Sequence, residues 1–255
     1  MRFVKIWPFD GVVKMEAVGS SHPGRVREIN EDAYRIELDR GLVVIADGLG
    51  GHPFGEVASE LAVQAVQRFF SNTLPGLHLL PDLMLPEAVF FAHAALLDAM
   101  AEDPQLNGMG TTLLIVWIQP GSNTLRLSHV GDSRAYLLRS GELEQLTEDH
   151  TLLMEVIKAG TNSNWSGKEL PPAHILVQAV GQGDVLKPSN LKISLNHGDR
   201  LLLCTDGLTN ELAFEDIHLI LSGASSIETA CQDLVQAAIQ NGGSDNVTVA
   251  VLGES

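Results

Sequence analysis

Short runs of apolar and β-branched residues, separated by polar breaks, recur along most of the chain, and this pattern is typical of strands. The predicted strands are Ala33–Leu38, Leu42–Ala46, Thr112–Ile118, Thr124–Val130, Arg134–Leu138, Leu143–Leu146, Leu191–Leu195, Arg200–Thr205 and Val247–Leu252. Ser140-Gly141 predicts a hairpin turn between two of these strands. The chain is therefore expected to be rich in β-structure.

Helical spacing is clearest over Glu56–Asn72, where Val57, Leu61, Ala65 and Phe69 recur on one face. Three more helices are predicted: Pro86–Ala101 with proline in its first turn, Thr151–Ala159, and a helix from Ser225 to Gly242 that begins with the capping-box spacing of Ser225 and Glu228. These helices stand between sets of strands and do not alternate with single strands. This order favours an α+β fold in which helices cover antiparallel sheets.

Composition limits the class of partner. The 255 residues include 16 Lys and Arg against 32 Asp and Glu, so the net charge is −16. Nucleic acids and anionic membranes are bound through Lys and Arg, and neither is expected as a partner. No repeat, low-complexity tract or linker divides the sequence, which favours a single domain over residues 1–255. A monomer is expected.

Cysteine use and apolar runs favour a cytoplasmic protein. Cys204 and Cys231 are too few for a disulfide framework, and the N-terminal stretch lacks the unbroken apolar core of a signal peptide. The densest apolar run, Thr111–Ile118, is too short to span a bilayer. Position 210 is Asn, where a phosphocysteine enzyme with Cys204 as nucleophile would need Arg, so both cysteines are expected in the core.

Acidic residues recur beside the ends of predicted strands. Asp47, Asp132 and Asp206 follow strands, whereas Asp32 and Asp245 precede them. Each position alone says little, because Asp is common in turns. If these strand ends meet at one edge of a sheet, however, the carboxylates repel each other and need a cation. Oxygen ligands without Cys or His favour Mg²⁺, Mn²⁺ or Ca²⁺ over Zn²⁺.

Seven segments carry a resemblance to the PP2C (PPM) family of metal-dependent protein phosphatases, particularly its compact bacterial members. They are, in order, Gly24–Asp32, Ala46–His52, Gly108–Thr112, Val130–Tyr136, Leu146–His150, Cys204–Leu208 and Ser244–Thr248. Each segment is short, but all seven in this order form a specific pattern that covers nearly the whole chain. The resemblance implies two stacked antiparallel β-sheets flanked by helices on both sides, a four-layer αββα sandwich with its site in a cleft at one end.

The resemblance assigns metal ligands to the residues that match its motifs. Asp47 would bridge two ions, and the carbonyl of Gly48 would bind one of them. Asp206 and Asp245 would bind the other ion, and Asp132 with Asp206 would hold a third. The implied cofactor is Mn²⁺ or Mg²⁺, about two to three ions per chain.

The same resemblance implies supporting roles and an activity. Glu31 and Asp32 would bind metal-bound waters, Asn246 would orient its neighbour's carboxylate, and Arg27 would grip the phosphate, with Arg25 as the alternative. The implied reaction is hydrolysis of phosphoserine and phosphothreonine esters by a metal-activated water, without a covalent phosphoenzyme. Phosphorylated proteins and a cognate Ser/Thr kinase are the expected partners.

One position departs from the pattern of the animal members. They have His directly after the Asp-Gly pair as a proposed general acid, whereas this chain has Leu49. The leaving group must then be protonated in another way, by a metal-bound water or by His52. Residues 147–174 resemble the variable flap beside the cleft, which is expected to affect substrate choice and not the chemistry.

Two other classes of protein remain as alternatives. Strand Leu42–Ala46, a glycine-rich turn and helix Glu56–Asn72 suggest a nucleotide-binding enzyme, but Asp47 would stand where a pyrophosphate must approach. A catalytically inactive relative acting as a binding module is the second alternative. Such a module should have lost metal ligands. This chain retains Asp47, Asp206 and Asp245, which argues against an inactive module.

Asp47→Asn and Asp206→Asn are each expected to abolish phosphatase activity while the fold survives, because each replaces a charged oxygen ligand by a neutral amide. The measurement is Mn²⁺-dependent hydrolysis of para-nitrophenyl phosphate, with circular dichroism to show that the variants are folded. Unchanged turnover in either variant would contradict the assigned ligands.

Overall fold

The computed structural model describes residues 2–5, 15–51, 54–72, 80–119, 121–159, 170–183 and 185–254. Its strands are β1 Arg2–Lys5, β2 Met15–His22, β3 Asp32–Glu37, β4 Leu42–Asp47, β5 Leu113–Ile118, β6 Thr124–Val130, β7 Arg134–Arg139, β8 Glu142–Gln145, β9 Ser189–Ser194, β10 Arg200–Cys204 and β11 Val247–Glu254. Its helices are α1 Gly55–Asn72, α2 Pro81–Glu102, α3 Leu152–Ala159, α4 Asp206–Thr209, α5 Phe214–Gly223 and α6 Ile227–Asn241, with short 3-10 turns at Leu38–Arg40 and Pro104–Leu106.

The strands form two antiparallel sheets. One has six strands in the order β1-β2-β11-β10-β7-β8, and the other has five in the order β3-β4-β5-β6-β9. Ser140 and Gly141 both have positive φ, 53° and 84°, as a two-residue hairpin turn requires, which confirms the predicted turn between β7 and β8.

Three apolar clusters lie between the four layers of the fold, and strand β4 contributes side chains to two of them. Val43 and Ile45 pack between the two sheets, whereas Leu42, Val44 and Ala46 pack against the layer of α1 and α2. A third cluster lies between the six-stranded sheet and helices α5 and α6. Central strands are apolar on both faces because both faces are covered. The predicted α+β fold, a four-layer αββα sandwich, is confirmed.

The sequence pattern does not predict β1 or β2. Gly19, Ser20 and Ser21 have little strand propensity. Strand β2 forms because its backbone pairs with all eight residues of β11 in the interior of the six-stranded sheet. Gly19 also gives space to the ring of Tyr34, since a Cβ at this position would lie 2.4 Å from Tyr34 Cε2.

The helices differ from their predicted bounds in the first turns. Helix α2 begins at Pro81 and contains Pro86, because the added turn buries Met84 and Leu85 in the core. Helix α6 is capped by Ser226, not Ser225: the Ser226 hydroxyl accepts a hydrogen bond from the Thr229 amide at 3.0 Å. Helices α4 and α5 are not predicted.

The buried face of α1 is rotated from the predicted stripe. It consists mainly of Ala58, Ala62, Ala65, Val66 and Phe70. Val57, Leu61 and Phe69 are only partly buried and pack at the margin of the cluster. Small residues on the buried face let the helix lie close to the five-stranded sheet.

Among the described residues, α2 is the helix whose length and composition would allow it to cross a membrane. Its Met84, Ala88, Val89 and Leu96 belong to the apolar cluster shared with α1 and the five-stranded sheet. The apolar composition of α2 is therefore accounted for by its place in the core.

Two segments that carry acidic residues touch at Gly207. Helix α4 begins at Asp206, separated from the end of β10 by Thr205 alone, and β11 begins two residues after Asp245. A Cβ on Gly207 would lie 1.9 Å from the backbone oxygen of Asn246. Glycine is therefore needed for α4 to approach this part of the chain and bring Asp206 near Asp245.

Gly207→Ala is expected to destabilise the protein by about 1–3 kcal/mol, because backbone must move to admit the methyl group. The matched control is Gly223→Ala at the end of α5, where no heavy atom lies within 4 Å of the added Cβ. The control should be neutral or slightly stabilising. Urea unfolding of both variants checks this, and equal midpoints would refute the close-contact explanation.

Candidate active site

A cleft of about 630 Å³ opens at the end of the sandwich where β3 and β11 begin and β4 and β10 end. Acidic, polar and a few apolar side chains line it: Arg27, Glu31, Asp47, Gly48, Leu49, Gly50, Thr112, Asp132, His174, Ile175, Leu176, Gln182, Asp206, Asn210 and Asp245. Four aspartates from four separate segments thus meet in one place.

The structure brings most of the residues singled out from the sequence to this cleft. Those that line it are Arg27, Glu31, Asp47, Gly48, Asp132, Asp206 and Asp245. Asp32 and Asn246 are not among the lining residues, although Asp32 is the direct cross-strand partner of Asp47. His52 lies outside the described residues.

The backbone around Asp47 is held on both sides. The Asp47 amide donates to Thr112 Oγ1 at 2.9 Å, and the Thr112 amide donates to the Asp47 carbonyl at 2.8 Å. The Gly48 amide donates to the Glu31 carbonyl at 3.1 Å, and a Cβ on Gly48 would lie 2.3 Å from the oxygen of Gly55. Only glycine therefore allows this close packing where β4 ends.

Neutral donors and one cation hold the carboxylates of the six-stranded sheet. Asp206 Oδ2 accepts a hydrogen bond from Asn210 Nδ2 at 3.0 Å. Asp245 Oδ1 accepts from the Asn246 amide at 2.8 Å, and its Oδ2 pairs with Arg27 Nη2 at 2.8 Å. Arg27 thus contacts directly one of the predicted metal ligands.

The side chain of Asn246 has different partners from the one predicted. Its Nδ2 donates to the carbonyls of Pro23 and Ile29 at 3.0 and 2.9 Å, and its Oδ1 accepts from the Glu31 amide at 2.8 Å. Only the backbone amide of Asn246 contacts the carboxylate of Asp245. The side chain therefore fixes the loop before β3, because this loop runs beside the start of β11.

The turn that carries Asp132 is supported by the segment before α3. The Gly131 amide donates to His150 Nδ1 at 3.2 Å. Arg134 binds both carboxylate oxygens of Asp149, at 2.9 and 2.6 Å. These contacts fix both flanks of Asp132, so the start of the predicted flap segment also shapes the floor of the cleft.

The buried carboxyl groups hold their protons unusually tightly. Burial, followed by the charge of Asp206, raises the pKa of Asp132 to about 7. Burial also raises the pKa of Asp32 to about 7, although hydrogen bonds from two threonines oppose the rise. Burial also raises the pKa values of Asp47 and Asp206, and the charges of neighbouring aspartates raise them further. A cation in the cleft would reverse this preference by favouring the ionised carboxylates.

The donor set fits a hard divalent cation. The ligand atoms offered by Asp47, Asp132, Asp206 and Asp245 are all oxygens, which Mg²⁺ and Mn²⁺ prefer. Asp32 Oδ1 is buried and has no hydrogen-bond partner among the described residues, so it can accept a bond from a bound water. No three His, Cys, Asp or Glu side chains in the described part of the chain form a complete metal-ligand group. The ligand shell would therefore include backbone oxygen and water, as Mg²⁺ sites commonly do.

Sequence reasoning missed several residues that line the cleft, including Asn210, His174 and Gln182. Asn210 stands four residues after Asp206, which places both on one face once α4 is known to be helical. His174 is the last residue of the segment 147–174 that resembles a flap beside the cleft, so its place near the cleft is expected, but the sequence gives it no role in the chemistry. Gln182 lies beyond that segment in a stretch without strand or helix periodicity, and no sequence signal marks it.

The fold and the cleft place this chain among proteins with a four-layer αββα sandwich and an acidic cleft at one end. The protein phosphatase 2C family model matches residues 18–241. The chain is 37% identical over 231 residues to the serine/threonine protein phosphatase PstP of Mycobacterium tuberculosis, which covers 91% of this chain and 43% of that protein. It is 34% identical over 237 residues to protein phosphatase PhpP of Streptococcus pneumoniae, covering 90% of this chain and 93% of that protein.

Solved structures agree in fold. A crystal structure of the Mycobacterium tuberculosis phosphatase PstP/Ppp has a TM-score of 0.82 at 34% identity and covers 94% of this chain and 99% of that chain. The catalytic domain of PstP in complex with two manganese ions has a TM-score of 0.79 at 34% identity, with 94% and 97% covered. This chain belongs to the protein phosphatase 2C family. It spans 43% of the length of the mycobacterial relative PstP.

The pH dependence of stability follows from the raised pKa values. The pKa of Asp32 and of Asp132 is about 7 in the folded protein against an ordinary 3.8, so folding favours their protonated forms. Their contribution to stability is full below pH 3.8 and is lost as the pH rises to about 7. In EDTA, these groups should lower the melting temperature as the pH rises through this range.

Thermal melts between about pH 5 and pH 8 check this expectation, with and without Mn²⁺. Mn²⁺ should raise the melting temperature most at the higher pH, because it binds the ionised carboxylates. Asp132→Asn should flatten the pH dependence in EDTA. A metal-free protein that becomes more stable with rising pH, and a variant with the same slope as the wild type, would contradict the assigned shifts.

Proposed function

We propose that this protein is a metal-dependent serine/threonine protein phosphatase that hydrolyses phosphoserine and phosphothreonine esters. The observation that supports it most is the convergence of Asp47, Asp132, Asp206 and Asp245 with Arg27 in one cleft. The relatives named as serine/threonine protein phosphatases support the same activity.

The proposal places Mn²⁺ or Mg²⁺, about two to three ions, among Asp47, the Gly48 carbonyl, Asp132, Asp206 and Asp245. The related PstP domain that was solved with two manganese ions supports this placement. When bound, such ions lower the pKa of a water molecule and neutralise charge on a phosphoryl group.

Arg27 is the proposed phosphate-binding residue. Its guanidinium lines the cleft, is partly exposed and can bond two phosphate oxygens at once. Arg25 does not line the cleft, which favours Arg27 over the alternative raised by the sequence. Arg27 pairs with Asp245 at 2.8 Å, so a cation bound by Asp245 would release the guanidinium toward the phosphate.

Glu31 and Asp32 are proposed to hold water in the cleft. Asp32 Oδ2 already accepts a hydrogen bond from Thr205, whereas its Oδ1 has no partner among the described residues. Glu31 lies 3.9 Å from Arg27 and lines the cleft. Both carboxylates can therefore accept hydrogen bonds from waters beside the acidic cluster and orient them.

We further propose that the protein acts on phosphorylated proteins in the cytoplasm. Phosphorylated proteins are the substrates, and a cognate Ser/Thr kinase together with its targets supplies them in the cytoplasm, where the phosphatase acts as a monomer. The names of the bacterial relatives support phosphoprotein substrates. The apolar residues Ile175 and Leu176 beside the acids offer a surface on which a peptide can pack.

The test is hydrolysis of a phosphothreonine peptide with Mn²⁺ and with excess EDTA. The proposal requires turnover with Mn²⁺ and its loss in EDTA. A folded protein that binds Mn²⁺ and the peptide without releasing phosphate would instead favour an inactive binding module.

Arg27→Ala is expected to raise KM for the peptide by on the order of tenfold, because charged hydrogen bonds to the phosphate are lost. The Kd for Mn²⁺, measured by calorimetry, should not weaken. The control is Arg25→Ala, whose side chain is exposed outside the cleft and whose KM should match the wild type. A raised Mn²⁺ requirement with unchanged KM would contradict the assignment.

A further inference from the structure

Cleavage of a phosphoserine or phosphothreonine ester needs a proton for the leaving oxygen. An alkoxide is strongly basic, and a positioned acid that protonates it as the bond breaks typically contributes 10²–10⁴-fold to the rate. Leu49 lines the cleft but cannot donate a proton, and His52 lies outside the described residues. The proposed function therefore assigns no described side chain as the proton donor, and a metal-bound water is the alternative source.

Most polar side chains of the cleft cannot supply this proton. The aspartates are needed in their ionised form as cation ligands, and Glu31, beside Arg27, is already assigned to orient water. The guanidinium of Arg27 does not release its proton in proteins, and the amides of Gln182 and Asn210 do not ionise. An imidazole, in contrast, exchanges a proton readily near neutral pH.

Among the described residues, His174 is the histidine that lines the cleft. The other described histidines, which do not line it, are His22, His93, His129, His150, His197 and His218. His174 is exposed, and in the described part of the chain no group forms a hydrogen bond or ion pair with its ring. Both ring nitrogens are thus available to substrate and solvent.

The backbone after His174 is anchored, so the histidine has a defined place. The Leu152 amide donates to the Ile175 carbonyl at 2.8 Å, and the Val177 amide donates to the His150 carbonyl at 2.9 Å. The segment 174–177 is separate in sequence from the segments that carry the aspartates and Arg27. In phosphoryl transfer the leaving oxygen lies roughly in line with the attacking one, on the far side of phosphorus. His174 is not among the proposed cation ligands, so it can serve the leaving oxygen while those ligands hold the ions.

We propose that His174 is the general acid of the phosphatase reaction, an inference that rests on the proposed function. A water oxygen forms the new bond to phosphorus while the bond between phosphorus and the Ser or Thr oxygen breaks. The imidazolium of His174 gives its proton to the departing oxygen, and the proton lost by the attacking water passes to solvent. The products are the free hydroxyl side chain, inorganic phosphate and a neutral imidazole, which regains its proton from solvent.

His174→Gln tests the proposal through the leaving group. With the phosphothreonine peptide and saturating Mn²⁺, kcat should fall on the order of 10²-fold. With para-nitrophenyl phosphate, kcat should stay near the wild-type value, because nitrophenolate leaves without a proton. Across a series of aryl phosphates, the rate of the variant should fall more steeply than that of the wild type as the leaving group becomes more basic.

The matched control is His197→Gln, because His197 is exposed, bonds Glu254 and does not line the cleft. It should behave as the wild type with every substrate. Calorimetry with Mn²⁺ should give the same Kd for both variants and the wild type, which separates proton donation from metal binding.

Two results would overturn the assignment of His174. One is an equal loss of kcat on the peptide and on para-nitrophenyl phosphate, and the other is no loss on the peptide. A change in KM alone would also overturn it, since His174 would then bind the substrate without donating a proton. An inactive wild type would refute the proposed function itself, so the two failures are distinguishable.

Discussion

Repulsion among carboxylates crowded at one end of the β-sandwich is the constraint on which the site depends. The register of β3 and β4 places Asp32 opposite Asp47, and the contact at Gly207 brings α4 against the residues that precede β11. Burial makes this crowding costly, as the raised pKa values of these aspartates show. Three apolar clusters in the layers of the sandwich provide the stability that offsets the cost.

The acids are held mainly by neutral groups. Asn210 and the amide of Asn246 donate to the carboxylates of Asp206 and Asp245, and Arg27 is the exposed cation among these contacts. Thr112 bonds only the backbone of Asp47. Neutral donors orient a carboxylate without cancelling its charge, so the acids retain their attraction for a divalent ion. Supporting partners of this kind set the geometry of a metal site as much as the ligands do.

The residues that line the cleft come from two kinds of segment. The acids stand at strand ends and in short turns fixed by hydrogen bonds, whereas His174 and Gln182 come from connecting segments. Rigid strands suit groups that must hold ions at fixed positions, and connecting segments tolerate sequence change. The positions at the strand ends are therefore more constrained than those on the connecting segments.

The sequence by itself determined the strands that carry the site and the acids beside them. Strands such as β4 and β10 are apolar apart from one charged residue at an end because both faces are covered, and such runs are recognisable without tertiary context. The αββα architecture and the roles of the acidic lining residues were indicated through the family resemblance that the seven motifs carry, and strand order and helix periodicity alone indicated only an α+β fold.

Tertiary structure alone decided the rest. Strand β2 exists because β11 pairs with it, and Asn246 binds the loop before β3 because the sheets place that loop beside it. His174 lies in the cleft because backbone bonds to the start of α3 anchor the residues that follow it. Each of these depends on contacts between residues far apart in the chain, and neither local periodicity nor the offset of a residue from a strand end encodes such contacts.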